Sequence, residues 1–175
     1  MNIGILGAGS VGSTLGRRLA AVGHQVSYGV RDVNKREQLL EGHPGTAVVV
    51  RTMELPGRSD ILVLAVPFPA MEDALKGLGN VTGKILIDAT NPLKPDLSGL
   101  VVTGEDSAGE RVARLAKGAR VVKAFNTIGA PVMADPVIGS ERAMLTVCSD
   151  DAQAKQVVMG LGLELGFDAV DFGPL

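Results

Sequence analysis

Met1-Asn2-Ile3-Gly4-Ile5-Leu6-Gly7-Ala8-Gly9-Ser10-Val11-Gly12 opens the chain, and its reading decides the fold. An apolar run leads straight into Gly7-x-Gly9-x-x-Gly12, and a helical pattern starts at once. Strand, tight turn and helix in that order form the phosphate-binding element of a dinucleotide-binding domain. Gly7 permits the turn, Gly9 lets the backbone approach a pyrophosphate, and Gly12 allows close helix–strand packing. The unpaired N–H groups at the helix start face the anion. Gly7, Gly9, Ser10, Val11 and Gly12 are therefore the candidate pyrophosphate-binding residues.

Gly23-His24-Gln25-Val26-Ser27-Tyr28-Gly29-Val30-Arg31-Asp32 indicates which dinucleotide. Gly23 ends the helix, and Val26, Tyr28 and Val30 alternate as a second strand. An NAD site ends this strand with an acidic residue that binds the ribose hydroxyls. Val30 stands at that position and cannot do so. Arg31 follows, with Lys35 and Arg36 one helical turn on, a cationic group suited to a 2′-phosphate. NADP(H) is the expected cofactor. The alternative is that Arg31 merely caps the strand and Lys35 and Arg36 belong to a solvated helix face; a shift of one residue would make Asp32 the ribose acid.

Composition narrows the function classes. The 175 residues suffice for one well-buried domain, 1–175, and nothing suggests two. Hydrophobic residues make up 46% and charged residues 21%, with a net charge of -2. That charge provides no basic field for nucleic acid, and stacking aromatics are few (Tyr28, Phe68, Phe125, Phe167, Phe172). No stretch reads as a signal peptide or approaches the ~20 apolar residues of a membrane span. Cys148 is the single cysteine, so neither an internal disulfide nor a cysteine metal cage is expected. The expectation is a cytoplasmic protein.

Apolar runs alternate with helical patterns along the chain. Strands are expected at Asn2–Leu6, Gln25–Val30, Thr46–Arg51, Asp60–Val66, Lys84–Ala89, Arg120–Phe125, Arg142–Cys148 and Asp168–Phe172. Helices are expected at Val11–Val22, Asn34–Leu40, Ala70–Leu78, Ala108–Lys117 and Ala152–Leu165. Continuously apolar strands such as Ile61-Leu62-Val63-Leu64-Ala65-Val66 belong to a sheet covered on both faces. Right-handed crossovers then give an α/β, three-layer αβα, doubly wound and mainly parallel sheet of Rossmann type, its strand order beginning 3-2-1-4. Asn91 to Glu105 is a long irregular loop, which is more often functional than idle.

Ligands of such sheets bind outside the carboxyl ends of the strands. Val66-Pro67-Phe68 closes the fourth strand where a nicotinamide would lie, with Phe68 either covering a ring or packing in the core. Asn91 and Asn126 follow the fifth and sixth strands and can offer carboxamide hydrogen bonds to a ring or ribose. Thr127 either bonds a ligand or caps a turn. His24 and His43 fall at the opposite edge and read as structural. Lys123 interrupts an apolar strand and must reach a partner, with Asp88 on the preceding strand as the obvious one; a structural pair is expected rather than a catalytic lysine. Ser149-Asp150-Asp151 reads as the N-cap of the last helix, and Cys148 as a small core residue. No Ser/His/Asp set, metal cluster or carboxylate pair converges on the cleft, so no residue is assigned a catalytic role. Hydride transfer between two stacked rings requires none.

Gly7–Gly12, Gly29-Val30-Arg31, Ala65-Val66-Pro67, Asp88-Ala89-Thr90-Asn91-Pro92-Leu93, Lys123-Ala124-Phe125-Asn126-Thr127 and Asp171-Phe172-Gly173-Pro174-Leu175 together carry a resemblance. The chain resembles the NADPH-dependent coenzyme F-420 reductases, the deazaflavin-dependent NADP oxidoreductases. It is also similar to the oxidoreductase domain of the STEAP ferric reductases. The resemblance implies a Rossmann domain binding NADP at the first turn and at Arg31, with hydride passing between nicotinamide and a deazaflavin above the strand tips. Val30 departs from the family's Ser or Thr, losing one hydroxyl contact to the 2′-phosphate. The family also continues beyond the Gly-Pro-Leu at which this sequence ends, with helix that closes the substrate side. That difference bears on the deazaflavin activity more than on NADP(H) binding.

Two readings follow. In the first, the protein is an oxidoreductase moving hydride between NADPH and a coenzyme F-420-like or flavin-like small molecule. In the second, it is a non-enzymatic NADP(H)-binding or sensing module, or a subunit completed by a partner. A hydroxyacid dehydrogenase would need a helical substrate domain for which the chain is too short. Val157-Val158-Met159 belongs either to a homodimer contact or to the core.

Overall fold

A computed structural model describes the chain apart from residues 33, 35, 95, 97, 103 and 105 and the side chains of 36 and 37. β1 (Asn2–Leu6) enters α1 (Ser10–Ala21), followed by β2 (Gln25–Val30), α2 (Arg36–Leu40) and β3 (Ala47–Arg51). A 3-10 turn and α3 (Leu55–Arg58) lead to β4 (Ile61–Leu64), α4 (Met71–Leu78), β5 (Ile85–Asp88), α5 (Ala108–Leu115) and β6 (Arg120–Lys123). Then come α6 (Ala130–Ala134), β7 (Val137–Ile138), β8 (Glu141–Arg142), β9 (Met144–Val147), α7 (Ala152–Glu164) and β10 (Asp168–Asp171).

The sheet has the order β3-β2-β1-β4-β5-β6, and every neighbouring pair is parallel. This is the doubly wound Rossmann-type arrangement, and the strand order expected from the crossovers is found. Strand alternation sorts the core to both faces. Ile3, Ile5, Val63 and Ile87 pack with Leu15, Val158 and Phe167 on one side. Leu62, Leu64 and Leu86 pack with Leu55, Met71 and Val112 on the other.

α1 buries Gly12, Leu15, Gly16, Leu19 and Ala20, the apolar stripe of an amphipathic helix. Gly16 is required by packing, since a Cβ there would collide with the Tyr28 hydroxyl. That hydroxyl pairs with His43 Nε2 at 3.0 Å, and burial pushes its pKa up to about 12. His24 is 8% exposed and bridges the Met1 amine (3.3 Å) and Glu164 Oε2 (2.9 Å). Both histidines thus act as structural links away from the carboxyl ends of the strands.

Four features depart from the sequence expectation. The expected strand Arg142–Cys148 is split at Ala143, whose N–H faces the hairpin side and bonds the Pro136 carbonyl while its own carbonyl accepts the Asp168 N–H of β10. β8 pairs with β7 in a hairpin, while β9 pairs in parallel with β10. β9 does not extend the parallel sheet; it meets β6 antiparallel at the Lys123–Cys148 bridge (2.8 and 3.0 Å). α3 and α6 were not expected; each is short and starts with proline in its first turn, so neither shows a usable helical period. β4, β5 and β6 end earlier than expected, yet Ala65, Ala89 and Ala124 still donate one ladder bond each. In the long loop, Leu93 and Leu100 form an isolated antiparallel bridge. Val158 is core, while Val157 is exposed. Among the described residues no helix is long and apolar enough to cross a membrane.

Candidate functional site

The glycine turn separates two roles that spacing alone merges. Gly7 has φ +103, and a Cβ there would strike the carbonyl of Ala65, just past the end of β4. A Cβ on Gly12 would collide with the Gly7 carbonyl oxygen. Both glycines are therefore demanded by the protein's own packing. Gly9 is different: a Cβ there would meet no protein atom within 4 Å. Gly9 is the exposed N-cap of α1 with φ -76, and no side chain caps the helix. Gly9 leads directly into the first turn of α1, which carries no acidic residue. A backbone cradle of this kind fits a pyrophosphate.

β2 ends at Val30, which pairs with Arg51 of β3, so the strand-end position holds valine. Arg31 follows, exposed. Asp32 is occupied locally, its Oδ1 accepting the Asn34 N–H at 3.0 Å. Arg31, not the acid, is thus the first side chain beyond the strand. Lys35 lies outside the described residues, as does the side chain of Arg36, so the two further candidate cations have no described position.

At the tip of β4, Val66 is half-buried and Pro67 exposed. Phe68 departs from its candidate role. It is 7% exposed, packs among Leu64, Met71 and Val112, and has the Arg111 guanidinium 5.9 Å from its ring centre. As the first residue of a 3-10 turn it is folded into the core, the alternative the sequence had left open.

The tips of β5 and β6 come together. Asp88 and Lys123 are register partners on adjacent strands. Lys123 Nζ donates to Asp88 Oδ2 at 2.9 Å and to the Thr90 carbonyl. Asp88 is fully buried and also accepts the Thr90 N–H (2.9 Å) and Oγ–H (2.7 Å) through Oδ1. The expected pair is therefore formed, with each carboxylate oxygen satisfied. Beyond it, Asn91 Nδ2 donates to the Asn126 carbonyl at 3.1 Å, tying the two candidate asparagines into one platform. Thr127 is exposed.

Sequence reasoning missed Phe125. It has φ +68, the one positive φ at a non-glycine among the described residues, and is buried edge-on to Phe167 at 5.9 Å. Such strain at a buried aromatic persists only where surrounding packing imposes it, and it concentrates at functional sites. Here it turns the chain between Lys123 and Asn126. No local residue signal announces it.

A cavity of about 320 Å³ opens at these carboxyl ends, lined in part by Asn91, Asn126, Lys123, Ala108, Cys148 and Leu175. Cys148 is half-buried in its wall, not in the core, and burial pushes its thiol pKa up. A second cavity of about 320 Å³ lies at the amino ends of β1, β2 and β3, lined by Asn2, Gln25, Ser27 and Arg58 among others. The first is the one where open parallel sheets hold ligands. Asp151 caps α7 by accepting the Ala154 N–H at 2.9 Å, while Ser149 instead bonds the Val121 carbonyl at 2.6 Å.

The family model described as "NADP oxidoreductase coenzyme F420-dependent" matches residues 2–92, more than half of the chain. The chain belongs to that family. A full-length relative agrees: the F420-dependent NADP reductase of Methanothermobacter marburgensis is 32% identical over all of this chain and 85% of its own length. The metalloreductase STEAP3 of Rattus norvegicus is 31% identical over 99% of this chain, which spans only 34% of that protein. Among solved structures, a protein of Arthrobacter sp. FB24 described as a candidate F420-dependent NADP reductase superposes with a TM-score of 0.90. It is 32% identical, with 99% of this chain and 85% of that one covered. In this F420-dependent NADP oxidoreductase family member, the matched segment carries the glycine cradle, Arg31, Val66-Pro67 and Asn91. Lys123 and Asn126 lie beyond it and are joined to it, Lys123 by the register of β5 and β6 and Asn126 by the Asn91 hydrogen bond.

Proposed function

We propose that this protein is an NADP(H)-dependent oxidoreductase that moves a hydride between NADPH and a deazaflavin of the coenzyme F420 type, or a flavin-like ring. The observation that carries the reading is the open backbone cradle at Gly9, with an exposed Arg31 as the first side chain beyond β2. Gly7, Gly9, Ser10, Val11 and Gly12 hold the pyrophosphate. Arg31 pairs with the 2′-phosphate, and Lys35 and Arg36 add positive charge to it. Val66 and Pro67 wall the nicotinamide side, and Asn91 and Asn126 orient the ring or its ribose. The names of the Methanothermobacter relative and of the Arthrobacter structure support the deazaflavin as acceptor.

When bound, NADPH supplies a hydride, that is two electrons with one hydrogen nucleus, and is left as NADP+. What the chain contributes is positioning: strand tips that bring two ring faces together and keep water out. A cytoplasmic setting and a homodimer belong to the same proposal; exposed Val137 and Ile138 in the hairpin and Val157 on α7 supply apolar surface for the latter, which light scattering tests.

Titration of the purified protein with NADPH and NADH is the first test, and equal affinities overturn the role of Arg31. Following absorbance with NADPH and coenzyme F420 is the second. Tight NADPH binding without reduction of F420 or a flavin overturns the acceptor assignment and leaves a nucleotide-binding module.

A further inference from the structure

Lys123 is more than the counter-ion of Asp88. An ammonium has three donors, and among the described residues two are used, on Asp88 Oδ2 and on the Thr90 carbonyl. Both acceptors belong to one strand tip, and Asp88 is itself held by Thr90 through two further hydrogen bonds. The ammonium is thus anchored before any ligand arrives, and among the described residues Lys123 is the one lining residue of the cavity with a charged side chain. Its side chain is 13% exposed, so a little of it reaches the cavity.

The rest of that wall is of another kind. Pro92, Leu100, Ala108, Cys148 and Leu175 offer apolar surface, and Asn91 and Asn126 form a linked amide platform on one side. Left-handed Phe125 makes the bend that carries the chain from Lys123 to Asn126. A mostly apolar pocket with one fixed cation in its wall suits a flat, uncharged ring whose edge gains negative charge during the reaction.

Resting on the function proposed above, we infer that Lys123 donates its remaining N–H to the carbonyl edge of the acceptor ring and stabilises the charge that arrives with the hydride. The balance is simple. The C4–H bond of the reduced nicotinamide breaks, both electrons pass with the hydrogen, and a new bond to hydrogen forms on the acceptor. The nicotinamide is oxidised by two electrons, and the acceptor is reduced by two and becomes an anion until solvent supplies one proton. A pre-placed ammonium at the edge where that charge collects lowers the barrier without reorganising.

The test uses the full chain, with 5-deazariboflavin and FMN as acceptor probes. Because Lys123→Met alone would strand the buried Asp88 charge, it is combined with Asp88→Asn, and Lys123→Arg is the conservative comparison. The expected result is a ~100-fold lower turnover number in the double variant, the size seen when one charge-stabilising donor is removed, with NADPH affinity unchanged and partial recovery in Lys123→Arg. A second readout does not depend on turnover: the absorbance of the bound reduced ring, titrated with pH. Lys123 should hold its deprotonation midpoint about one pH unit or more below that of the free ring, and the double variant should abolish that difference. A wild-type midpoint equal to that of the free ring overturns the inference without any variant. So does a folded double variant that keeps wild-type turnover. If the wild type reduces neither ring while binding NADPH, the acceptor assignment fails and this inference falls with it.

Discussion

Gly9 and Gly12 are three residues apart and would be lost equally in a motif search, yet they have different physical reasons to be glycine. Gly12→Ala drives a Cβ into the Gly7 carbonyl. Urea unfolding should show it destabilised by about 1–3 kcal/mol, the usual cost of overpacking. Gly9→Ala enters open space at φ -76 and should cost only the poorer capping of alanine, about 1 kcal/mol or less. It should nonetheless weaken NADP(H) binding, because the methyl occupies the place of a ligand oxygen. If Gly9→Ala leaves NADP(H) affinity unchanged, the space over Gly9 is not a ligand site. Arg31→Ala addresses the other end of the cofactor. A charge-assisted bond contributes ~1.5–3 kcal/mol, so NADPH affinity should fall about 10- to 100-fold by calorimetry while NADH affinity stays put.

At the scale of elements, the joint between β6 and α7 is electrostatic. Asp151 caps α7 and takes a two-pronged hydrogen bond from Arg120 at 2.6 and 2.8 Å. The Arg120 guanidinium, with help from the Ala154 N–H, holds the Asp151 carboxyl well below the usual carboxylate range. A folded-state pKa below the unfolded one stabilises the protein fully above the unfolded value, about 3.9, and that stabilisation disappears as pH falls toward the folded value. Melting temperature should therefore drop on acidification below about pH 4, and Asp151→Asn, which keeps an oxygen for the cap, should flatten that limb. A variant with the same acid profile as the parent would show that Arg120 and Asp151 are not coupled in solution.

Across the whole molecule, stability is distributed unevenly. β1, β4 and β5 are paired on both sides and buried on both faces. β10 is an edge strand, and β7 and β8 form a two-residue hairpin whose side chains are all exposed. Native-state hydrogen exchange should rank their amides accordingly, slowest in β1, β4 and β5 and fastest in the hairpin. Protection in β7 and β8 equal to that of β1 would mean that a partner surface covers them. The segment after β10 is less loose than its position suggests. The Ser149 N–H reaches the Gly173 carbonyl, Lys155 holds Asp171 and Gly173, and Asp150 takes the Leu175 N–H. Leu175 thereby closes one side of the carboxyl-end cavity.

What the sequence determined unaided is whatever short-range chemistry dictates: the β1–turn–α1 unit, the valine and arginine at the end of β2, the apolar strands of a covered parallel sheet. Asp88 and Lys123 were also legible as partners, because a lone cation in a buried strand must find a carboxylate and the strands adjoin. Tertiary structure alone decided the direction of β9, the burial of Phe68, the strained backbone at Phe125, and the cavity that gathers residues from Asn91 to Leu175. Those features depend on which surfaces meet across the sheet, and no run of neighbouring residues carries that information, because contact energies there are shared between segments distant along the chain.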